Sequence, residues 1–218
     1  MTERIHIRPE DQEAQVSQAL SWIHSGFVIA APLENGYVYL TDAFTHDAVR
    51  SMHVLRGDDL GIAAQVLIAG IEVLHGIARE VSSSARILMS NFWPGSLSFY
   101  LRPQQGLSWD LGDGRRLDQM CVRVPNPGFV LALLRKSGPL AVVSAAHSGG
   151  SPILNPEQIG TTSPALAAIF DGGKLATSLG STIVSDIETS PTLVREGLIT
   201  LEELKEHLPD IEREDSVN

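Results

Sequence analysis

The sequence predicts an α/β (α+β) domain, and three observations carry that prediction. Apolar runs of strand length alternate with amphipathic stretches of helical period along most of the chain. The connections between them are short, and no internal repeat or linker divides the 218 residues, a length that suits one domain with a full core. A hydrophobic content of 43% and a mean hydropathy of +0.06 fit a soluble, globular chain arranged in two or three layers.

Taken in order, Val16, Leu20 and Ile23 share one face of a helix ending at Ser25-Gly26, where glycine suits the C-terminal cap. FVIAAP and YVYL are strands flanking a Glu34-Asn35-Gly36 turn. THDAVRSMHVLRG has a threonine placed to cap and a glycine placed to stop, so it predicts a helix. IAAQVLIA is a buried strand. GIEVLHGIAREV and SSARILMSNFW predict two short helices, the second ending before Pro94-Gly95. SLSFYLRP is a strand, and LSWDLGDGRRLDQ a loop or hairpin tip around Gly112-Asp113-Gly114. MCVRVP is a strand, GFVLALLRKSG a helix, and PLAVVSAA a strand running into the turn HSGGSP. SPALAAIFDGG predicts a short helix, while STIVSDI and TLVREG form a terminal hairpin. EELKEHLPDIEREDSVN reads as a helix and a frayed acidic end.

Composition excludes several classes. No apolar run reaches the roughly 20 residues of a membrane span, and MTERIHIRPEDQEAQ is polar where a signal peptide has an apolar core. A lone cysteine, Cys121, excludes an internal disulfide framework and a cysteine-ligated zinc site, and its strand context assigns it to the core. A cytoplasmic protein is expected. The net charge is −10; seven acids and two bases from Thr200 onward carry half of it. That acidity argues against broad nucleic-acid binding. The seven histidines show no zinc-helix spacing, so no metal ligands are assigned, and His53 and His75 read as ordinary helix or surface residues. GDGRR lacks the grammar of a phosphate loop, and Ser144 with His147 has no fixed acid to complete a triad.

Four spaced elements together resemble the YrdC-like threonylcarbamoyl-adenylate synthase family: GFVIAAPLENGYVYL, WPGSLSFYLR, VRVPNPGFVLALLRKSGPLAVVSAAHSGGSP and IFDGG…GSTIVSDIETSPTLVREG. Their order covers residues 12–200, with 1–11 as an N-terminal extension and 201–218 as an acidic helix and tail. The resemblance implies a twisted mixed sheet with flanking helices and a concave ligand-binding face. It also implies a reaction: ATP, with magnesium, L-threonine and bicarbonate give threonylcarbamoyl-AMP and pyrophosphate, which serves modification of an adenosine in tRNA. Fixed cations must meet the charge on the leaving pyrophosphate, and threonine must be held in line.

Carried over residue by residue, the resemblance places Arg56 in the catalytic position of a lysine, although the two cations are not interchangeable. It assigns Ser98, Ser144 and Arg195 to nucleotide binding and Arg102, Arg123 and Ser181 to substrate binding; Ser98 and Arg102 share a strand face by period-two alternation. Three positions depart from the family pattern. Leu33 replaces a threonine that helps hold the amino acid, Asp58 replaces an arginine, and Ala146 replaces an asparagine; Pro32, Glu34 and Tyr37 stand. Asp58 and Asp59 would repel a triphosphate unless they hold magnesium, and a solvated acidic turn after the helix is the preferred reading of them. Two readings remain open: a working synthase, or a paralogue that binds a nucleotide, RNA or a protein partner without this chemistry. Double-stranded RNA or tRNA is disfavoured as a partner by the net acidity, and no membrane association is expected.

Overall fold

Continuous apolar runs such as VIAA and LAVV bury both faces of a strand, which places them inside a covered sheet. The computed structural model describes residues 2–214. Its elements are β1 (Glu3–His6), α1 (Gln12–His24), β2 (Val28–Leu33), β3 (Gly36–Asp42), α2 (His46–Arg56), β4 (Gln65–Leu67), α3 (Leu74–Ile77), β5 (Ala78–Arg79) and α4 (Ser83–Phe92). They continue with β6 (Leu97–Pro103), β7 (Met120–Arg123), α5 (Phe129–Ser137), β8 (Leu140–Ser144), β9 (Leu166–Asp171), β10 (Thr182–Ser185), β11 (Thr192–Arg195), α6 (Leu201–His207) and β12 (Glu212–Arg213).

One twisted mixed sheet runs in the order β1-β9-β2-β3-β8-β4-β7-β6-β10-β11-β12, with β5 beside the end of β6. Parallel pairs (β1 with β9, β9 with β2, β4 with β7, β6 with β10) are interleaved with antiparallel ones. The α/β expectation is met. α1 and α5 pack together and against β2, and their aromatic contacts converge on β9: Phe129 stacks on Phe170 at 4.4 Å, and Trp22 meets the same ring edge-on. α2 ends at Gly57, whose φ of +73° suits glycine and stops the helix there.

Several segments differ from expectation. SPALAAIFDGG is not a helix: Leu166–Asp171 forms β9, hydrogen-bonded to β1 on one side and β2 on the other. Alanine favours helices in isolation, but a six-residue buried run between two strands is settled by pairing. GIEVLHGIAREV holds only single helical turns and then β5. Thr45 does not cap α2; its hydroxyl donates to Asp42 Oδ2 at 2.8 Å. Residues 3–6 lie in the sheet as β1, and Glu212–Arg213 pair with β11. The rest of the acidic end, 215–218, lies outside the described residues.

Candidate functional site

The tip of the β2–β3 hairpin, the end of α2, the end of β8 and the β10–β11 hairpin converge on a cavity of about 310 Å³. The hairpin tip is locked from two sides. At Gly36, with φ of +152°, a Cβ would lie 3.0 Å from the Pro152 Cβ and 3.3 Å from the Ile153 carbonyl, so a side chain there would displace the loop after β8. The next amide, Tyr37 N, donates to that Ile153 carbonyl at 2.8 Å. The Tyr37 hydroxyl donates to Gly173 O at 2.8 Å and accepts from Gly172 N at 3.0 Å, tying the hairpin to the turn after β9. Burial raises its phenol above the ordinary tyrosine value, because the neutral form is favoured away from water.

Glu34 and Arg123 form one wall. Glu34 Oε2 lies 3.1 Å from Arg123 Nη1, and Glu34 Oε1 accepts from the Asn126 amide at 2.6 Å. The Arg123 side chain is 7% exposed, so its charge is matched by the carboxylate rather than by water. Arg123 also lines the cavity.

Arg56 enters from the last position of α2 and lines the cavity too. Its Nη1 lies 3.1 Å from Asp58 Oδ1, and the Asp58 side chain is fully buried. Asp58 Oδ2 is 2.8 Å from His53 Nδ1, and His53 Nε2 is 2.8 Å from Leu111 O. Two expectations are corrected here. Asp58 is not part of a solvated turn, because the left-handed Gly57 folds it back onto α2. His53 is not an ordinary surface residue; it is buried and contacted at both ring nitrogens. The Arg56 carbonyl also accepts from Ser148 N at 3.2 Å and lies 3.2 Å from His147 Nδ1, which docks the HSGG turn against α2.

Ser144, at the end of β8, faces the cavity while its Oγ accepts from Ala146 N at 3.2 Å. On the opposite rim Arg195 Nη2 donates to Ser181 O at 2.7 Å, and both residues line the cavity. Ser98 does not: it is fully buried in β6 and donates to Ser181 Oγ at 3.0 Å, so it acts only through that hydroxyl. Arg102 lies elsewhere. Its Nε and Nη2 donate to Ile187 O at 3.0 and 2.6 Å, and Nη1 sits 3.5 Å from Glu80, so it clamps the segment after β10 and does not line this cavity.

The structure thus brings Arg56, Arg123, Ser144, Ser181 and Arg195 together with Leu33. Asn35 and Gln65, which the sequence reading left unassigned, join them. Gln65 carried a signal: it is the one polar residue in IAAQVLIA. Three guanidiniums face the space while Asp58 and Glu34 stand behind two of them, an arrangement suited to an anion. Among the described residues no cluster of histidine, cysteine, aspartate or glutamate could hold a metal ion. A magnesium site built from protein ligands alone therefore does not fit the described residues. No helix among the described residues is long and apolar enough to cross a membrane.

Comparison with known proteins gives a consistent picture. A Mycobacterium tuberculosis protein provisionally named a threonylcarbamoyl-AMP synthase is 30% identical over 201 residues, 92% of each chain. The threonylcarbamoyl-AMP synthase of Bacillus subtilis is 32% identical over 197 residues, 88% of this chain and 56% of that one. The crystal structure of Pyrococcus abyssi Sua5 complexed with L-threonine superposes with a TM-score of 0.84 at 26% identity, covering 98% of this chain and 62% of that one. The chain spans under two thirds of the latter two relatives. Residues 21–197 match the Sua5/YciO/YrdC family, described as "Telomere recombination". With that match running from within α1 to just past β11, this chain belongs to the Sua5/YciO/YrdC family.

Proposed function

We propose that the protein makes threonylcarbamoyl-AMP from ATP, bicarbonate and L-threonine, releasing pyrophosphate. The observation that carries this reading is the convergence of Arg56, Ser144 and the Ser181–Arg195 pair from three distant segments on one cavity. In this reaction threonine's amine and bicarbonate condense to a carbamate with loss of water, and a carbamate oxygen attacks the α-phosphorus of ATP. The bond from that phosphorus to the bridging oxygen breaks, and its electron pair leaves with pyrophosphate. Arg56 and Arg195 meet the charge that accumulates on the leaving group, and the two serine hydroxyls donate to phosphate or sugar oxygens. Arg123, neutralised by Glu34, shapes the wall and holds the hairpin tip where the amino acid would lie. The buried Asp58 carboxylate is engaged by Arg56 and His53, so it does not present a free charge to the triphosphate.

A second reading, a nucleotide-binding paralogue without turnover, is favoured by Leu33, which presents no hydrogen-bonding group to the cavity, and by Ala146, a buried methyl at the turn. Mass spectrometry of the protein with ATP, magnesium, bicarbonate and L-threonine separates the two. Threonylcarbamoyl-AMP with pyrophosphate supports the synthase. ATP binding without product supports the paralogue, and neither binding nor product defeats both.

A further inference from the structure

A second groove, of about 530 Å³, lies between α2 and the loop around Gly112, and His53 and Asp58 form part of its wall. Arg56 lines the first cavity. The Arg56–Asp58–His53 chain therefore crosses the partition between the two spaces. Among the described residues, Asp58 is the one side chain that holds the Arg56 guanidinium, and Arg56 Nε is buried without a partner. Asp58 in turn is held by His53.

The histidine meets an acceptor at each ring nitrogen: a carboxylate at Nδ1 and the Leu111 carbonyl at Nε2. The ring is therefore gripped at both ends and cannot turn without giving up one of these contacts. The Leu111 carbonyl cannot easily turn away, since it also accepts from Ala64 N at 2.7 Å and its side chain is fully buried. Gly112 makes the approach possible. Its φ is +104°, and a Cβ there would sit 2.3 Å from His53 Nε2 and 2.6 Å from Ile62 O. That gives the GDG sequence a purpose the reaction alone does not.

We propose that Asp58 and His53 are positioning residues for Arg56: the imidazole holds the carboxylate, and the carboxylate fixes the guanidinium at the cavity wall, where it meets phosphate. Other polar and charged groups around the groove are His46, Asp47 and Arg50 on α2, Asp59 beyond it, and Asp110 and Arg115 on the facing loop. None of them is bonded to His53.

This inference rests on the reading of the first cavity as a phosphate site, and its test uses inorganic pyrophosphate, without turnover. Pyrophosphate affinity is measured by calorimetry for the wild type, His53→Ala, His53→Gln and Asp58→Asn, each also in an Arg56→Gln background. Asp58→Asn is expected to bind about tenfold more weakly than wild type, although it removes a negative charge. His53→Ala is expected to lose about as much, and His53→Gln, which keeps a donor for the carboxylate, less. In the Arg56→Gln background these losses are expected to vanish, because there is no guanidinium left to hold. Tighter or unchanged binding by Asp58→Asn, or equal losses with and without Arg56, overturns the proposal while leaving the phosphate site standing. Absence of pyrophosphate binding by the wild type removes the phosphate site and this proposal together. If the variants fail to fold, nitrogen NMR of the wild-type Arg56 side chain decides: a guanidinium held rigid before ligand is added supports the proposal, and a freely rotating one overturns it.

Discussion

Glu34 and Arg123 meet at 3.1 Å beside the cavity, joining the tip of the β2–β3 hairpin to the end of β7. Both side chains are largely out of solvent, so removing one leaves the other charged and unanswered. Glu34→Ala is expected to destabilise the fold by about 3 kcal/mol in urea unfolding, near the lower end for breaking a buried pair. Glu34→Gln, which keeps an oxygen for the Asn126 amide, is expected to lose less.

Arg195 is exposed and, among the described residues, its side chain is bound to a backbone carbonyl alone, so its charge contributes little to stability. Arg195→Ala is expected to leave the unfolding midpoint nearly unchanged while weakening pyrophosphate binding by roughly tenfold to a hundredfold, as for a lost charge-assisted hydrogen bond. Calorimetric titration beside a thermal melt separates the two effects.

Cys121 lies buried in β7, and loss of hydration pushes its thiol up to about 12 from 9.0. The neutral thiol is the folded form. Its contribution to stability is therefore complete below pH 9 and is lost as pH rises from there toward 12, by about 1.4 kcal/mol per unit. Burial raises the Tyr37, Tyr39 and Tyr100 phenols in the same direction. Iodoacetamide at pH 8 is expected to leave the native thiol unmodified and to alkylate it in urea. Cys121→Ala is expected to flatten the fall of the melting temperature above pH 9.

Leu33 faces the cavity where the family resemblance calls for a threonine. Leu33→Thr restores a hydroxyl and is expected to tighten L-threonine binding about fivefold, the value of one added hydrogen bond. Calorimetry with L-threonine in the presence of ATP checks it, and an unchanged affinity would place the amino acid elsewhere.

Much of the fold was legible because local chemistry and tertiary structure agree. α2 shows its glycine stop in the sequence, and the terminal hairpin STIVSDI–TLVREG folds as read. β9 was not legible: LAAIFD carries no period-two alternation when both faces are buried, and its alanines point toward a helix. The site divided along similar lines. Arg56, Arg123, Ser144, Ser181 and Arg195 were found through motif spacing and do share a cavity. Arg102 was assigned through the family resemblance and strand alternation, and alternation fixes a face but not the carbonyl of Ile187 that captures the guanidinium. Asp58 was misread because one of its partners, His53, is itself held by a carbonyl 58 positions further along the chain.

The sheet order carries a consequence for how the chain is made. β2 emerges from the ribosome well before β9, yet one of its edges is paired by β9, and β6 must wait for β10. Until residue 171 is available, the β2 edge that belongs to β9 remains an open backbone ladder, able to recruit a strand from another chain. Expression halted before β9 should therefore yield aggregates, whereas the hairpin tip carrying Leu33 to Gly36 acquires its final shape only after β9 is complete, when Gly172 and Gly173 reach Tyr37.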